Sequence, residues 1–268
     1  MNFSSLLGIL VALGVLGAAL STATESYMIF LNAHGLLIVF GGTAAASLMC
    51  FPLTTYFNIA KVFFKKFIGR YSQEYSAVIT EIVDLARGSR DNPAYLATKV
   101  KVLKTPFLRD AVELLVQGGV SDEALHTILE KRALTHFKRY EDDAAIFKVI
   151  AKFPPAFGLL GTTLGMIALL QQLGGQDAFK HIGPSMAVGL VATLYGIVLA
   201  NLVLIPIGEN LSMLNKEDET IREIVIDGVR LIRAKEHPLV VEEYLKSYLL
   251  PSEREKMKKQ KPAPAAAR

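Results

Sequence analysis

Two threonines are the residues of this 268-residue chain whose type and position could do chemistry. Thr162 and Thr193 each lie inside a long stretch that contains no Asp, Glu, Lys or Arg. A threonine hydroxyl, together with a freed backbone carbonyl, can replace part of the water shell of a cation. The alternative is that each hydroxyl bonds to the preceding helical turn and only packs there.

Enzyme chemistry finds no support in the other residues. The sequence has no P-loop and no Gly-x-Ser-x-Gly motif, and its five histidines are scattered over different segments. The single cysteine, Cys50, excludes an intramolecular disulfide and a thiol metal site. We therefore predict a protein that is not an enzyme and that needs no cofactor.

Four stretches without charged side chains are long enough to cross a bilayer, which takes about 20 mostly apolar residues. They raise the mean hydropathy to +0.36 and leave the charges concentrated in the rest of the chain. The predicted spans are residues 4–20, 34–51, 154–173 and 185–207. For the first span a cleavable signal peptide is the alternative, but the segment lacks the Lys or Arg of such a peptide.

The distribution of basic residues predicts the orientation of these spans, because Lys and Arg remain on the cytoplasmic side. Residues 52–152 hold 16 of them and residues 208–268 hold 12, whereas the two short connections hold only Lys180. We predict an all-α, multi-pass membrane protein built from two helical hairpins, with both termini in the cytoplasm. The net charge of +4 then reflects topology and not a nucleic-acid partner.

The predicted domains follow from the spans. They are a transmembrane hairpin over 1–51, a helical cytoplasmic domain over 52–152, a second hairpin over 153–207, a helical cytoplasmic extension over 208–253 and a disordered basic tail over 254–268. In the cytoplasmic domain the pattern predicts an interfacial helix over 55–70, helices over 73–87, 106–117 and 122–152, and a break over 88–93.

The two threonines are predicted to lie deep in the bilayer, where an ion path would pass. Thr162 lies ~13 Å in from the cytoplasmic edge near Phe153, and Thr193 lies ~14 Å in from the outer edge at Pro184, so both are close to the bilayer midplane. No span contains an acid or a base, although ion carriers usually place an ionisable group at this depth. Either the protein moves no ion, or a partner supplies the carboxylate.

Glycines and prolines mark the same two spans. Gly161 and Gly165 form a small-residue face for close helix contact. Pro155 suits a first helical turn. Pro206 should interrupt a helix that continues beyond the fourth span, so it is a candidate hinge.

The sequence is recognisable from two blocks, residues 155–170 and 183–201. Residues 227–229 and 248–251 add weaker support. It resembles the MotA/PomA stator subunits of the bacterial flagellar motor, within the wider MotA/TolQ/ExbB family of ion-driven motors. The likeness covers nearly the whole chain apart from the tail. The two-plus-two hairpin arrangement matches MotA, whereas TolQ and ExbB have one span before the cytoplasmic region.

The resemblance implies a motility subunit of the bacterial inner membrane. It forms a homopentameric ring around the helices of a MotB/PomB-like partner, which carries a membrane aspartate and a peptidoglycan-binding domain. Sodium or proton flow turns the ring against the rotor switch protein FliG. Pro155 and Pro206 match the two functional prolines of the family, and Thr162 and Thr193 match its ion-path threonines. In a sodium-driven motor these threonines are the metal ligands.

The resemblance also bears on the ion. Sodium-type members similar to PomA tend to carry threonine at the position of Thr162, where proton-type members often carry alanine, and this favours sodium. Ala192 weighs against sodium, because some sodium-type members have a second threonine at its position.

The expected rotor contact departs from the family pattern. Arg90 matches the basic residue of the family and Arg87 is nearby, but the acid that should follow falls at Thr98 or Lys99. The acids that could substitute are Asp91, Asp110 and Glu113. The alternative for both arginines is a solvated helix end.

Three alternatives for the whole protein stay open. It could be a TolQ/ExbB-type energiser of envelope work or outer-membrane transport, or a non-flagellar rotary relative. A membrane scaffold that only recruits partners is the third, and it predicts that Thr162 and Thr193 tolerate alanine.

Overall fold

The structure of the protein is a computed structural model that describes residues 3–23, 27–57, 75–92, 94–172 and 178–260. Across these ranges every regular element is a helix, as the sequence predicts. The predicted interfacial helix beyond residue 57 and the predicted tail beyond residue 260 lie outside the described residues.

The chain divides into two compact units. The first, which we name the apolar unit, comprises Met1–Tyr71 and Tyr140–Met213. The second, the amphipathic unit, comprises Ser72–Arg139 and Leu214–Arg268.

In chain order the α-helices of the described ranges are α1 (Phe3–Ala23), α2 (Ala33–Leu36), α3 (Gly42–Cys50), α4 (Tyr75–Asp91), α5 (Tyr95–Lys99), α6 (Pro106–Gln117), α7 (Asp122–Ile150), α8 (Phe153–Gln172), α9 (Ala178–Val198), α10 (Ile205–Arg233), α11 (Pro238–Leu245) and α12 (Pro251–Gln260). Two π-helical turns join neighbouring helices, Leu37–Gly41 before α3 and Leu199–Leu204 before α10.

Three helical stretches of the described chain are long and apolar enough to cross a membrane. They are Met28–Cys50, Asp122–Gln171 and Ile182–Arg233, which contain most of the second, third and fourth predicted spans. The first predicted span lies within α1, of which Leu10–Thr22 is a shorter apolar helix. The four-span topology therefore stays a prediction.

The amphipathic unit is built around a core of apolar, mostly branched side chains. Its largest fully buried members are Val78, Ile79, Ile82, Leu85, Leu108, Val112, Leu129, Ile224, Val225, Val229 and Leu245. The predicted helix over 106–117 is confirmed by α6. It ends at Gly118 and Gly119, whose φ angles of 68° and 74° belong to the left-handed region that favours glycine.

The predicted break over 88–93 begins too early. Helix α4 continues through Gly88 to Asp91. The missing side chain at Gly88 leaves room for the ring of Tyr95, which a Cβ atom would overlap. The chain turns at Asn92, whose side-chain Oδ1 accepts a hydrogen bond from Ala94 N–H at 2.9 Å.

The C-terminal segment also differs from the prediction. Helix α12 extends to Gln260, although we predict disorder from residue 254 onward. The Glu253 carboxylate stabilises its start by accepting a hydrogen bond from Leu250 N–H at 2.9 Å. Met257 is buried against the core of the amphipathic unit. One apolar contact and one cap thus order a stretch whose composition is typical of disorder.

Candidate ion site

The two threonines lie where α8 and α9 pack against each other as an antiparallel pair. Gly196 lies against the start of α8 at Pro155, Gly158 lies against Thr193, and Gly165 lies against Ser185. Helix α9 begins at Ala178 and runs through Pro184, so it starts earlier than the predicted span at residue 185.

A reciprocal arrangement of glycine and threonine lets these helices approach closely. A Cβ atom on Gly158 would lie 2.9 Å from Thr193 Cα, and a Cβ atom on Gly189 would lie 2.9 Å from Thr162 Cα. Each threonine therefore faces a glycine of the opposite helix. The predicted packing residues Gly161 and Gly165 lie in the same contact.

The two hydroxyls meet in a cluster of four oxygen atoms. Thr162 Oγ1 and Thr193 Oγ1 are 2.5 Å apart. The Gly158 carbonyl oxygen is 3.1 Å from each hydroxyl. The Gly189 carbonyl oxygen is 3.3 Å from Thr162 Oγ1 and 3.2 Å from Thr193 Oγ1. Each helix thus supplies one hydroxyl and one carbonyl.

This four-oxygen cluster has more acceptors than protons. Its two hydroxyls hold two protons, whereas five close oxygen–oxygen contacts join its atoms. Hard cations prefer such oxygen ligands. The packing alternative is also compatible with the geometry, because each hydroxyl reaches the carbonyl of its own preceding turn. Thr162 and Thr193 are half-buried, so part of each side chain remains accessible to a further ligand.

The four-oxygen cluster has no carboxylate of its own. In the part of the chain that the structure describes, no group of three or more His, Cys, Asp and Glu side chains is placed to hold a metal ion. Helix α8 carries no charged residue at all. A cation bound here would therefore depend on neutral oxygens and on negative charge from outside this chain.

Ala192 is packed next to this cluster. It is fully buried, and a Cβ atom on Gly35 would lie 3.4 Å from its backbone nitrogen. The neighbouring Tyr195 holds the start of the second span in place, because its hydroxyl donates to the Phe30 carbonyl and accepts a hydrogen bond from Asn32 N–H at 3.1 Å. A threonine at position 192 would have to fit between Gly35 and Gly161, which both lie against the Ala192 side chain.

Neither of the two predicted hinge prolines is a member of the four-oxygen cluster. Pro155 is in the first turn of α8, and a Cβ atom on Gly196 would lie 3.1 Å from its Cα. Pro206 follows the π turn Leu199–Leu204, in which Ile205 N–H donates to the Ala200 carbonyl five residues earlier. The wider turn lets the helix continue past a proline that has no N–H to donate.

The predicted rotor-contact residues lie in the amphipathic unit. Arg87 and Asp84 form a loose, exposed pair at 4.0 Å. Arg90 is exposed and lines an open cavity with Leu96 and Ile232, among others. Lys99 Nζ lies 5.4 Å above the ring of Tyr95. At the other position that could correspond to the family acid, the Thr98 hydroxyl donates to the Tyr95 carbonyl at 2.7 Å. The possible substitutes Asp91, Asp110 and Glu113 are exposed.

The sequence reasoning missed Gly158 and Gly189, which supply the two carbonyls of the four-oxygen cluster. The sequence nevertheless contains a spacing that indicates these two glycines. Gly158 precedes Thr162 by four residues, and Gly189 precedes Thr193 by four residues. The same spacing on two adjacent spans indicates that each glycine and threonine share a helix face.

Comparisons with known proteins identify the family. The MotA/TolQ/ExbB proton channel family matches residues 99–224. Chemotaxis protein PomA of Vibrio alginolyticus is 33% identical over 220 residues, which cover 82% of this chain and 85% of PomA. This chain belongs to the MotA/TolQ/ExbB family. The predicted resemblance to MotA and PomA is thereby confirmed, and the family is one of ion channels rather than enzymes.

Further members of the family agree over nearly the whole chain. Motility protein A of Bacillus subtilis is 27% identical over 263 residues, which cover 97% of this chain and 95% of that protein. The solved flagellar MotAB stator complex from Bacillus subtilis matches with a TM-score of 0.84 and 25% identity over 94% of this chain and 97% of the other. C. jejuni MotAB shares the fold, with a TM-score of 0.83 and 20% identity over 94% and 97% of the two chains.

Proposed function

We propose that this chain is the stator subunit of a bacterial flagellar motor and conducts the ion that powers rotation. Support comes from its family, from its similarity to PomA and to Motility protein A, and from the fold it shares with MotAB complexes. The ion-conducting part rests on one observation, the four-oxygen cluster of Thr162, Thr193, Gly158 and Gly189.

A MotB/PomB-like partner supplies what this cluster lacks. Its aspartate approaches the accessible sides of Thr162 and Thr193, and its peptidoglycan-binding domain anchors the complex. Five copies of this chain form a ring around the partner helices in the inner membrane, with four spans each and both termini in the cytoplasm. The absence of a carboxylate from α8 and the similarity to solved MotAB complexes support this arrangement.

The ion we propose is sodium. Four neutral oxygens suit a hard cation that must shed water. A proton needs no such set of oxygens, because one titratable group can carry it.

The deciding experiment measures swimming speed against external sodium at fixed membrane potential, in a strain whose only stator contains this chain. We expect a speed that rises with sodium and saturates. A speed that ignores sodium but is abolished by a protonophore would make the motor proton-driven. A strain that does not swim, despite normal membrane levels of the complex, would contradict the flagellar role.

Replacing Thr193 by alanine tests the ion site itself. Because the four-oxygen cluster loses a hydroxyl, we expect Thr193→Ala to abolish swimming while the complex still assembles. The matched control is Thr163→Ala, since the exposed Thr163 hydroxyl donates to the Leu159 carbonyl at 3.0 Å outside the cluster. Equal swimming by the two variants would leave only a packing role for Thr193.

The rotor contact is a separate part of the proposal. We place it on the exposed basic side chains Arg87, Arg90 and Lys99, which face the charged surface of FliG. Reversing one charge with Arg90→Glu should lower swimming speed under viscous load, because charge pairs steer and hold such contacts. Normal speed under load would move the contact to another surface.

One observation favours a second candidate, a rotary stator that drives a machine other than the flagellum. The position at which the family has an acid is occupied by Thr98 or Lys99, neither of which is acidic. Assembled complexes that conduct ions in a strain that still fails to swim would support this candidate.

A further inference from the structure

The buried face of the second span changes from apolar to polar along its length. At every fourth position this face carries a buried residue, namely Gly35, Val39, Thr43 and Ser47. Positions four apart share one helix face. The first two members are apolar, as expected for a helix contact, whereas the last two carry hydroxyls.

The buried face begins beside the four-oxygen cluster. Gly35 lies against Ala192, the neighbour of Thr193, and Ile38 lies against Gly161, the neighbour of Thr162. At about 1.5 Å per residue, Thr43 lies ~12 Å beyond Gly35 and Ser47 lies ~18 Å beyond it. The second span runs antiparallel to α8 here, so both hydroxyls lie toward the start of α8. In the predicted topology this is the cytoplasmic side.

The hydroxyls of Thr43 and Ser47 have no hydrogen-bond partner within the described part of the chain. Thr43 is 8% exposed and Ser47 is 4% exposed, and their oxygen atoms are buried. Tyr56 lies beside Ser47, and its hydroxyl oxygen is also buried without a well-formed hydrogen bond. Three buried hydroxyls thus follow one another without a well-formed hydrogen bond, and only those of Ser47 and Tyr56 lie within reach of each other.

Unpartnered buried hydroxyls are unusual, because leaving a buried donor or acceptor unsatisfied is costly. A threonine in a helix normally donates to the carbonyl four residues earlier, as Thr163 does. Thr43 and Ser47 do not make this bond. Their burial excludes the side chain of a partner protein, so the missing ligand must be small.

We propose that Thr43 and Ser47 bind internal water. Side chains four residues apart on a helix are about 5–6 Å apart at Cβ, a gap that one water molecule can bridge with two hydrogen bonds. Buried waters typically make about three hydrogen bonds to polar groups that lack other partners. The water joins Thr43 and Ser47 to the neighbouring Tyr56 hydroxyl and so forms a polar line on the cytoplasmic side of the four-oxygen cluster. Resting on the proposed function, it rehydrates the cation on the cytoplasmic side.

The first test asks whether removing the Thr43 hydroxyl raises or lowers the unfolding midpoint of the chain. The full chain is purified in detergent and its unfolding midpoint is compared with those of Thr43→Val and Ser47→Ala. If water is bound, Thr43→Val removes one of its ligands and weakens its binding to Ser47, so the midpoint falls by about 2–4 °C. If the site is dry, the same change removes an unsatisfied hydroxyl and the midpoint rises, which overturns the proposal.

Two variants control for folding and for side-chain shape. Thr43→Ser keeps the hydroxyl, and we expect it to unfold closer to the unchanged chain than Thr43→Val does. Thr163→Val removes a hydroxyl that already has a partner outside the line. A fall of the same size in Thr43→Ser and Thr43→Val would assign the effect to the lost methyl contacts and overturn the proposal.

The second test measures ion flux through the complex with its partner. We expect Thr43→Val with Ser47→Ala to lower the flux at saturating ion at least about 3-fold, without changing the half-saturating concentration, because the four-oxygen cluster is intact. Flux equal to that of Thr163→Val would overturn the role in rehydration. If the unchanged complex conducts no ion, the proposed function fails, whereas the stability test still decides whether water is bound.

Discussion

The two units of the molecule hold their helices together with different side chains. In the apolar unit, α8 and α9 meet through Gly158, Gly161, Gly189 and Gly196, at each of which a Cβ atom would overlap the opposite helix. In the amphipathic unit the contacts are made by large side chains, including Ile82, Leu108 and Ile224, that are fully buried.

We attribute the difference to the solvent that the proposed function gives each unit, lipid for the apolar unit and water for the amphipathic unit. Helices in lipid gain little from hiding apolar side chains, since lipid tails are as apolar as leucine, so close contact and hydrogen bonds hold them together. Helices in water gain from every apolar surface that they bury. The apolar unit accordingly exposes large side chains such as Leu190, which is 61% exposed, and places small ones inside.

The largest expected difference between the two units is in the unfolding free energy that is lost when a large side chain is truncated to alanine. Leu108→Ala in the fully buried core of the amphipathic unit should cost about 2–5 kcal/mol of unfolding free energy. Leu190→Ala on the exposed face of α9 should change it by no more than about 0.5 kcal/mol. Denaturant unfolding of the two variants checks this, and similar losses would show that both units depend on large side chains.

The second effect separates the units by the cost of an added methyl group. Gly196→Ala places a Cβ atom into the Pro154 carbonyl and 3.1 Å from Pro155 Cα, and it should cost about 1–3 kcal/mol. Gly14→Ala is the control, because nothing lies within 4 Å of a Cβ atom there. Since alanine suits a helix interior better than glycine, the control should gain about 0.5–1 kcal/mol. Two changes of the same sign in a thermal unfolding assay would contradict the packing described for α8 and α9.

The smallest effect concerns pH and belongs to the amphipathic unit. Burial raises the pKa of the Glu223 carboxyl, and the neighbouring Glu219 and Asp227 carboxylates raise it further. Folding therefore favours the protonated form. The stability from this group is complete below the ordinary carboxyl pKa and is lost as the pH rises through the raised value.

Glu223→Gln should therefore raise the unfolding temperature slightly at pH 7 and leave it unchanged near pH 4. The control is Glu123→Gln in the first turn of α7, where an acid is favourable next to a helix N-terminus. We expect no gain from that change at either pH. A gain from Glu223→Gln that is as large at pH 4 as at pH 7 would point to side-chain packing instead of charge.

Much of the fold could be predicted because it depends on local signals. Charge-free stretches mark the spans, and Gly118 and Gly119 end α6 where expected. The start of α9 and the length of α12 could not be read in this way. Pro184 is tolerated inside a helix, and Met257 orders a basic segment through a contact that is distant in sequence.

The sequence predicts which threonines form the candidate site, but it does not predict how they are arranged. Hydroxyls at midplane depth single out Thr162 and Thr193. Their meeting depends on how α8 and α9 align, which Gly158 and Gly189 determine by facing the opposite threonines. A single sequence shows such glycines as helix breakers or spacers, and only the paired spacing reveals that they share one contact.

The π turn Leu199–Leu204 determines how helix α10, which follows it, is rotated about its own axis. A π turn holds about one residue more than an α turn, and one residue corresponds to about 100° of rotation. Beyond it, a Cβ atom on Gly208 would lie 3.2 Å from the Ala144 carbonyl oxygen, and the Ser212 hydroxyl donates to the Glu141 carboxylate at 2.9 Å. Removing one residue from this turn would rotate both contacts away, although the residues that make them would be unchanged. The number of residues in this turn therefore fixes the rotation of α10, and it matters more than which residues they are.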